Sequence, residues 1–184
     1  MIAIRRAEEN DALSIAQIYI ETWRSSYAGI LPDHVLVNMN PQKSMITFAR
    51  TIKQNSEIIL VAEESNLGIV GMGSVGQNRT KDNKYLGEVY TLYVHPDRQN
   101  KGIGKKLLSE LFNELTRNNI NSAVIWVLAN NPSRFIYEAV GGKLISVKDV
   151  ELWNVLLKEY SYGWNNLKST LNGQLSRSKQ SSGN

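Results

Sequence analysis

The sequence Gln-Asn-Lys-Gly-Ile-Gly at residues 99–104 has the composition of an anion-binding loop. Gly102 and Gly104 give the backbone conformational freedom and let a ligand approach the main chain closely. A helical pattern starts directly after them, and the first N–H groups of a helix have no intrahelical acceptor and lie at the positive end of its dipole. We therefore expect the main chain here to bind an anion such as a pyrophosphate.

The elements on both sides of this loop are predicted by their own patterns. Residues 88–94 are rich in β-branched and aromatic types and end shortly before Pro96, as a strand would. After the loop, apolar residues recur every three or four positions and predict a helix of about four turns with one buried face. They are Ile103, Leu107, Leu108, Leu111, Phe112 and Leu115. Lys101, Lys105 and Lys106 stand where the dipole alone disfavours lysine, which favours an anionic ligand.

Two familiar phosphate-binding loops do not fit these residues. The loop of P-loop NTPases requires Gly-x-x-x-x-Gly-Lys-Ser/Thr, but Asp97 stands five residues before Gly102, and Lys105 and Lys106 leave no hydroxyl for magnesium. The dinucleotide fingerprint requires a third glycine where Leu107 stands. A tight glycine turn without any ligand is the remaining alternative.

The pattern Gln-x-x-Gly-x-Gly after a strand ending in Leu-x-Val-x-Pro resembles the acetyl-CoA loop of the GCN5-related N-acetyltransferase family. Residues 137–141, Tyr-Glu-Ala-Val-Gly, resemble the family's Tyr-Glu-x-x-Gly, with Asn130 at the position of its upstream asparagine. The sequence departs from that pattern at Ser133, Ile136 and Gly142, which are packing positions in the family. Residues 23–32 resemble a subgroup of the same enzymes, and the resemblance extends over roughly residues 2–164.

The resemblance implies an α/β (α+β) fold with a mixed, largely antiparallel central sheet of six to seven strands. About four helices flank this sheet, and strands 4 and 5 splay apart. We expect strands near residues 57–63, 69–75 and 122–128 and a closing hairpin near 143–161. One acetyltransferase domain is predicted over residues 1–166. Residues 167–184 are polar and are predicted to be a disordered tail.

The resemblance also assigns the residues that hold acetyl-CoA. The pantetheine arm pairs with the main chain of the fourth strand, which implies Leu92 and Val94 here. Main-chain N–H groups of the loop bind the pyrophosphate, and the upstream asparagine and the tyrosine complete the cofactor site. The predicted cofactor-binding residues are Leu92, Val94, Gln99, Asn100, Lys101, Gly102, Ile103, Gly104, Lys105, Asn130 and Tyr137.

Two residues are candidates for the chemistry. In the family a tyrosine after the fifth strand protonates the leaving thiolate, which implies Tyr137; packing on a helix face is its alternative. An acid near the start of the fourth strand deprotonates the amine directly or through water, which implies Glu88. The alternative for Glu88 is a solvent-facing residue at a strand end.

The sequence defines the acceptor site less sharply. Trp23, Tyr27, Tyr90 and Trp126 are candidates for its walls, and Glu21 or Asp33 for attracting a cationic amine. Aromatic residues on periodic elements more often pack in the core, so each has that alternative. His95 is interpreted as a surface group at the end of a strand.

Composition excludes several classes of site. The chain of 184 residues has no cysteine and two histidines distant in sequence, which excludes a disulfide, a thiolate nucleophile and a cysteine-ligated zinc, and we expect no metal. It has no apolar run of the ~20 residues that a membrane span needs and no signal-peptide pattern, so we expect a cytoplasmic protein without membrane contact. Most of its net charge of +4 comes from Lys168, Arg177 and Lys179 in the tail, which argues against nucleic acid as a partner.

The leading hypothesis is an acetyl-CoA-dependent N-acetyltransferase. It would transfer an acetyl group to a primary amine of a small molecule or peptide by direct attack in a ternary complex. A catalytically silent acyl-CoA-binding sensor or interaction module is the main alternative, because both require the loop. A DNA-binding role of the basic tail is a third hypothesis. Family members often dimerise, so the resemblance also allows a homodimer.

Overall fold

The computed structural model describes residues 1–80 and 84–173. Over these residues the chain forms a seven-stranded sheet with helices on both faces. The strands are β1 (Ile2–Arg6), β2 (Ile58–Glu64), β3 (Gly68–Gln77), β4 (Gly87–Val94), β5 (Ala123–Leu128), β6 (Lys143–Leu152) and β7 (Val155–Trp164). The helices are α1 (Ala12–Tyr27), α2 (Asp33–Val37), α3 (Pro41–Gln54), α4 (Ile103–Arg117) and α5 (Arg134–Ala139).

The strand order is β1-β2-β3-β4-β5-β7-β6, and only the β4–β5 pair is parallel. That pair is also the shortest, because only Gly87, Glu88 and Val89 of β4 have partners on β5. Beyond them the two strands separate and leave the remaining edge of β4 without a neighbouring strand. The predicted mixed, largely antiparallel sheet that splays between strands 4 and 5 is confirmed.

The apolar stripe of α4 determines how the loop before it is held. Leu107, Leu108, Leu111 and Phe112 are completely buried against the sheet in the main core. Residues of α1 and of β2 and β3 form a second apolar cluster that includes Ile15, Ile18, Ile59, Val61 and Met72. The sheet is therefore covered on both faces, and the start of α4 is fixed at the carboxyl end of β4.

Strand β4 contains a β-bulge next to the point of divergence. Val89 pairs with Val75 and Thr91 pairs with Ser74, so that Tyr90 is the extra residue. A bulge increases local twist and changes the direction of side chains. Here it lies directly after the last residue of β4 that pairs with β5.

The closing hairpin is longer than the sequence predicts. Its strands are joined by the two-residue turn Trp153-Asn154, and both residues have positive φ angles, 49° and 63°. Tight two-residue hairpin turns require positive φ, which Asn and Gly adopt easily and Trp does not. The turn signal was therefore weak in the sequence.

The chain remains folded beyond residue 166. Residues 167–173 are helical, and Leu167 is completely buried in the main core. The main-chain N–H of Leu167 donates to the Asn121 carbonyl at 2.9 Å, and that of Lys168 donates to Asn121 Oδ1 at 3.0 Å. The structure thus differs from the predicted tail at residues 167–173, because Leu167 supplies an apolar anchor. Residues 174–184 of that tail lie outside the described residues.

Candidate functional site

The loop at residues 99–104 forms one wall of a groove of about 500 Å³. The other walls come from the end of β4 and from the segment that leads into α5. Of the residues predicted to bind a cofactor, the groove is lined by Leu92, Val94, Gln99, Asn100, Gly102, Ile103, Gly104 and Lys105. Lys101 is exposed and does not line it. The structure therefore brings together most of the predicted donor site.

The backbone of the loop turns into the start of α4 through two residues with positive φ. Asn100 and Gly102 have positive φ angles of 60° and 78°, and Gly102 is the N-cap of α4. The first helical bond runs from the N–H of Lys106 to the carbonyl of Gly102 at 3.1 Å. The N–H groups of Ile103, Gly104 and Lys105 come before it and have no acceptor within the helix. They lie at the groove wall, where the helix dipole favours an anion.

The unpaired edge of β4 forms the floor of the groove. The N–H of His95 donates to the Val70 carbonyl on the β3 side. Because main-chain groups alternate along a strand, those of Leu92 and Val94 face the opposite, open side. The Val94 carbonyl accepts the Thr22 hydroxyl at 3.3 Å and the Gln99 side-chain amide at 3.1 Å. Both groups of Leu92 and the N–H of Val94 thus face the groove.

A cleft of about 230 Å³ opens between the diverging strands, and Leu92 lines both the cleft and the groove. Both residues predicted for catalysis and all four predicted as walls of the acceptor site line this cleft: Glu88, Tyr137, Trp23, Tyr27, Tyr90 and Trp126. The structure adds polar residues that the sequence analysis did not select, namely Arg79, Tyr93, Asn131 and Glu159. The groove and the cleft are thus adjacent, with Leu92 at their common border.

Tyr137, on α5, lines the cleft. It is 3% exposed, and its ring packs near those of Tyr162 and Trp164. Burial, and secondarily the nearby Tyr27, raise the pKa of its hydroxyl above the ordinary range. Its hydroxyl makes no hydrogen bond to another described residue. The side chain is therefore a neutral phenol at the wall of the cleft.

Glu88 is buried rather than solvent-facing, with 4% of its surface exposed. Its Oε1 accepts a hydrogen bond from Arg79 Nη2 at 2.7 Å, and its Oε2 accepts the Arg79 main-chain N–H at 2.9 Å and Nε at 3.3 Å. The Arg79 guanidinium also lies 3.8 Å from the centre of the Tyr90 ring. The acid predicted as a base is thus one half of an ion pair at the cleft wall.

Of two adjacent asparagines, the structure directs Asn131 rather than Asn130 into the cleft. Asn130 is exposed and lines neither cavity. The Asn131 amide donates to the Tyr27 hydroxyl at 2.9 Å, and its oxygen accepts the N–H of Ser133 at 2.9 Å. The prediction that Asn130 belongs to the site is therefore not supported by its position. In the sequence, Asn131 differs from Asn130 in that Pro132 directly follows it. An asparagine before a proline is typical of a turn, and this signal could have selected Asn131.

The aromatic candidates are fixed by specific contacts. Trp23 Nε1 donates to the Tyr93 hydroxyl at 3.1 Å, and the Tyr90 hydroxyl donates to the Gln77 carbonyl at 2.6 Å. Trp126 is covered on its face by Lys148 Nζ, at 3.9 Å from the ring centre, while its buried Nε1 has no partner among the described residues.

The acidic candidates for attracting a cation lie elsewhere. Glu21 pairs with His95 at 2.9 Å, and neither Glu21 nor Asp33 lines the cleft. The residue predicted as a surface group at the end of a strand therefore has a carboxylate partner on α1. Glu159 is the additional acid that does line the cleft.

Over residues 1–80 and 84–173, no group of three or more His, Asp or Glu side chains is arranged to hold a metal ion. Among the helices of this described part, none combines the length and the apolar character that crossing a membrane requires.

The sequence is similar to known proteins along most of its length. A family described as FR47-like protein matches residues 66–153, from β3 into the closing hairpin. The Bacillus subtilis (strain 168) protein named "Uncharacterized N-acetyltransferase YuaI" is 30% identical over 170 residues, which cover 92% of this chain and 96% of that protein. The Escherichia coli (strain K12) L-amino acid N-acyltransferase MnaT is 33% identical over 113 residues, 61% of this chain and 62% of that one.

Solved structures share the fold. A Salmonella typhimurium structure of yncA with its cofactor acetyl-CoA has a TM-score of 0.68 and 24% identity, covering 90% of this chain and 94% of that one. The PaiA N-acetyltransferase of Thermoplasma acidophilum in complex with coenzyme A has a TM-score of 0.66 and 20% identity, covering 86% of this chain and 98% of that one.

Proposed function

Because this chain belongs to the GCN5-related N-acetyltransferase family, we propose that it transfers an acetyl group from acetyl-CoA to the primary amine of a small molecule or peptide. The reaction proceeds by direct attack within a ternary complex. The observation that carries the proposal is that Leu92 borders both the groove, where α4 begins, and the cleft, which the buried Tyr137 lines.

The groove fits acetyl-CoA in three respects. The N–H groups at the start of α4 suit the pyrophosphate, and the left-handed Gly102 exposes the main chain to it. The free edge of β4 at Leu92 suits the amide groups of the pantetheine arm, which would pair there as an added strand. Because the Val94 carbonyl already accepts two side-chain donors, Val94 contributes its N–H alone. The cleft then receives the acetyl end.

The side chains of the cleft have complementary tasks. Acetyl-CoA supplies an activated thioester. A protonated amine first loses one proton to become the neutral nucleophile. As its nitrogen then bonds to the acetyl carbon and the carbon–sulfur bond breaks, the nitrogen loses a second proton and the sulfur gains one. Tyr137 donates the proton to sulfur and is reprotonated by the second proton that leaves the nitrogen. Glu88 receives the acceptor's first proton through a water molecule, since Arg79 binds both of its oxygens.

The acceptor lies against the aromatic wall formed by Trp23, Tyr27, Tyr90 and Trp126. The name of the Escherichia coli relative makes an amino acid a candidate for this chain too. An amine with an ordinary pKa of ~10.4 is protonated at neutral pH, so the acids Glu88 and Glu159 suit its approach.

A second candidate function is favoured by the ion pair itself. If Arg79 holds Glu88 permanently, the chain binds acyl-CoA without turnover and serves as a sensor. A screen of amines, amino acids and peptides with acetyl-CoA, monitored with a thiol-reactive chromophore, tests both functions. The chain contains no cysteine, so all thiol detected comes from coenzyme A. We expect turnover with at least one acceptor; tight coenzyme A binding without turnover on any acceptor would favour the sensor.

A further inference from the structure

A second cavity lies beside the cleft, on the side away from the groove. It has a volume of about 340 Å³ and is bounded by α1, α2 and the turn between β6 and β7. We call it the side pocket. Its walls include Tyr19, Trp23, Val35, Met39 and Trp153. This volume lies at the small end of the ~300–1,000 Å³ of ligand pockets, which suits one side chain or ring rather than a whole cofactor.

The side pocket and the cleft share a wall. Trp23 lines both, and its indole N–H is bound to the Tyr93 hydroxyl, which fixes the ring between them. On the hairpin, Leu152 lines the cleft and the next residue, Trp153, lines the side pocket. The cleft and the side pocket are therefore adjacent, with the Trp23 ring at their common border.

Trp153 closes the side pocket in an unfavourable backbone conformation. Its φ angle is 49°, which is uncommon for a large side chain, and the indole remains 47% exposed. The ring meets Trp23 edge to face, with 6.1 Å between centroids and 88° between planes. A strained conformation persists where the surrounding structure requires it, and such sites are often ligand clamps. Asn or Gly would suit this turn better, so the tryptophan ring is retained at a cost to the turn.

The two cavities differ in charge. Of the described residues, no Asp, Glu, Lys or Arg lines the side pocket, and its polar members are His34 and Asn38. The cleft, in contrast, contains Glu88, Glu159 and Arg79. Charged and apolar parts of one ligand would therefore separate between the two.

We propose that the side pocket binds an aromatic or branched apolar group of the acceptor whose amine lies in the cleft, and that Trp153 determines this preference. The preferred acceptor is then a primary amine that carries one large apolar group, such as a hydrophobic amino acid. The proposal rests on the proposed acetyl transfer for its chemistry, but the pocket can be tested by binding alone.

The test uses alanine, leucine and phenylalanine, each as the free acid and as the amide. Binding to the CoA-loaded protein is measured by calorimetry, and turnover with acetyl-CoA is measured by thiol release. We expect kcat/KM to be at least ~10-fold higher for phenylalanine or leucine than for alanine, which is the scale of discrimination that apolar pockets provide. Trp153→Asn should reduce this ratio ~10-fold, toward unity.

Two controls distinguish the effect of losing the indole ring from the effect of altering the turn. Asn tolerates positive φ, so Trp153→Asn should fold and melt no lower than the wild type. Asn154→Gly alters the same turn without removing a ring, so it should leave the phenylalanine-to-alanine ratio unchanged.

The outcomes distinguish the two proposals. If acceptors are acetylated but Trp153→Asn leaves the ratio unchanged, the pocket proposal is overturned and acetyl transfer stands. If nothing in the series is acetylated but the large amino acids bind better than alanine and lose this advantage in Trp153→Asn, the pocket stands, and the broader acceptor screen decides acetyl transfer. If the protein neither binds nor acetylates any compound of the series, the pocket proposal is overturned, whereas acetyl transfer is overturned only if the broader screen also finds no acceptor.

Discussion

Arg79 binds both carboxylate oxygens of Glu88, one through the guanidinium and the other through the guanidinium and the main-chain N–H. The carboxylate is buried whereas 62% of the Arg79 side chain is exposed. Because most of the Arg79 side chain contacts solvent, water screens the attraction between the two charges. The buried carboxylate nevertheless depends on this pairing for its hydrogen bonds. The pair fixes the direction of Glu88 in the cleft.

Removal of either partner should destabilise the protein, and the two effects should not add. Arg79→Ala leaves a buried carboxylate with fewer donors, so we expect a loss of ~1–2 kcal/mol in the free energy of unfolding. Urea denaturation of Arg79→Ala, Glu88→Gln and the double variant gives the coupling, which should be about 1 kcal/mol. Additive losses would show that the contact contributes nothing to folding.

Tyr137→Phe should reduce kcat by ~10- to 1000-fold with little change in affinity for acetyl-CoA. The substitution removes the one hydroxyl that faces the cleft from α5 and keeps the ring between Tyr162 and Trp164. Steady-state kinetics with an identified acceptor and calorimetric titration with coenzyme A measure the two quantities. An unchanged kcat would remove Tyr137 from the proposed chemistry.

Buried tyrosines should make the protein sensitive to alkali. The pKa of Tyr137 is raised by burial, so the folded chain holds this proton more tightly than the unfolded chain, whose tyrosine ionises near pH ~10. The stability that the neutral hydroxyl contributes is complete below that pH and is lost as the pH rises above it. Thermal melts from about pH 8 to 11 should fall less steeply for Tyr137→Phe than for the wild type. Parallel curves would contradict the assignment of a raised pKa.

Gly102→Ala should weaken acetyl-CoA binding. No atom lies within 4 Å of the added Cβ, so the cost is backbone strain at φ 78°. That cost is ~1–2 kcal/mol, which corresponds to an affinity loss of roughly 5- to 30-fold if the loop relaxes to another conformation. Gly141→Ala is the matched control, because Gly141 has a φ of 84° and equally open surroundings but does not line the groove. It should lose similar stability and keep its affinity for acetyl-CoA.

The parts of the site that arise from local periodicity were predictable from the sequence. The stripe from Ile103 to Leu115 determined α4, and with it the position of Gly102 at a helix start. Neither the sequence of β4 nor that of β5 predicts that the two strands diverge. This divergence was expected from the family resemblance alone, because neither strand contains a residue that excludes further pairing.

Contacts between distant segments were not predictable. Arg79 follows β3, and its approach to Glu88 depends on the register of the β3–β4 pair, which the bulge at Tyr90 alters. Whether Asn130 or Asn131 faces the cleft depends on where β5 ends, to within one residue. Sequence patterns do not define the end of a strand that closely. Leu167 was missed because one apolar residue among polar neighbours is a weak signal, yet it is completely buried.

Because Tyr90 is an extra residue in β4, the number of residues in this strand, rather than their types, determines which face of the sheet each side chain occupies. Val89, Leu92 and Val94 all contact the core beneath α4, although a regular strand would place Val89 on the opposite face from Leu92. Deleting Tyr90 would restore an unbroken ladder and turn residues 87–89 over. The Glu88 carboxylate would then point into the apolar core and Val89 into the cleft. Inserting or deleting a single residue next to the bulge would therefore exchange the two faces of one part of β4, whereas a substitution would leave them in place.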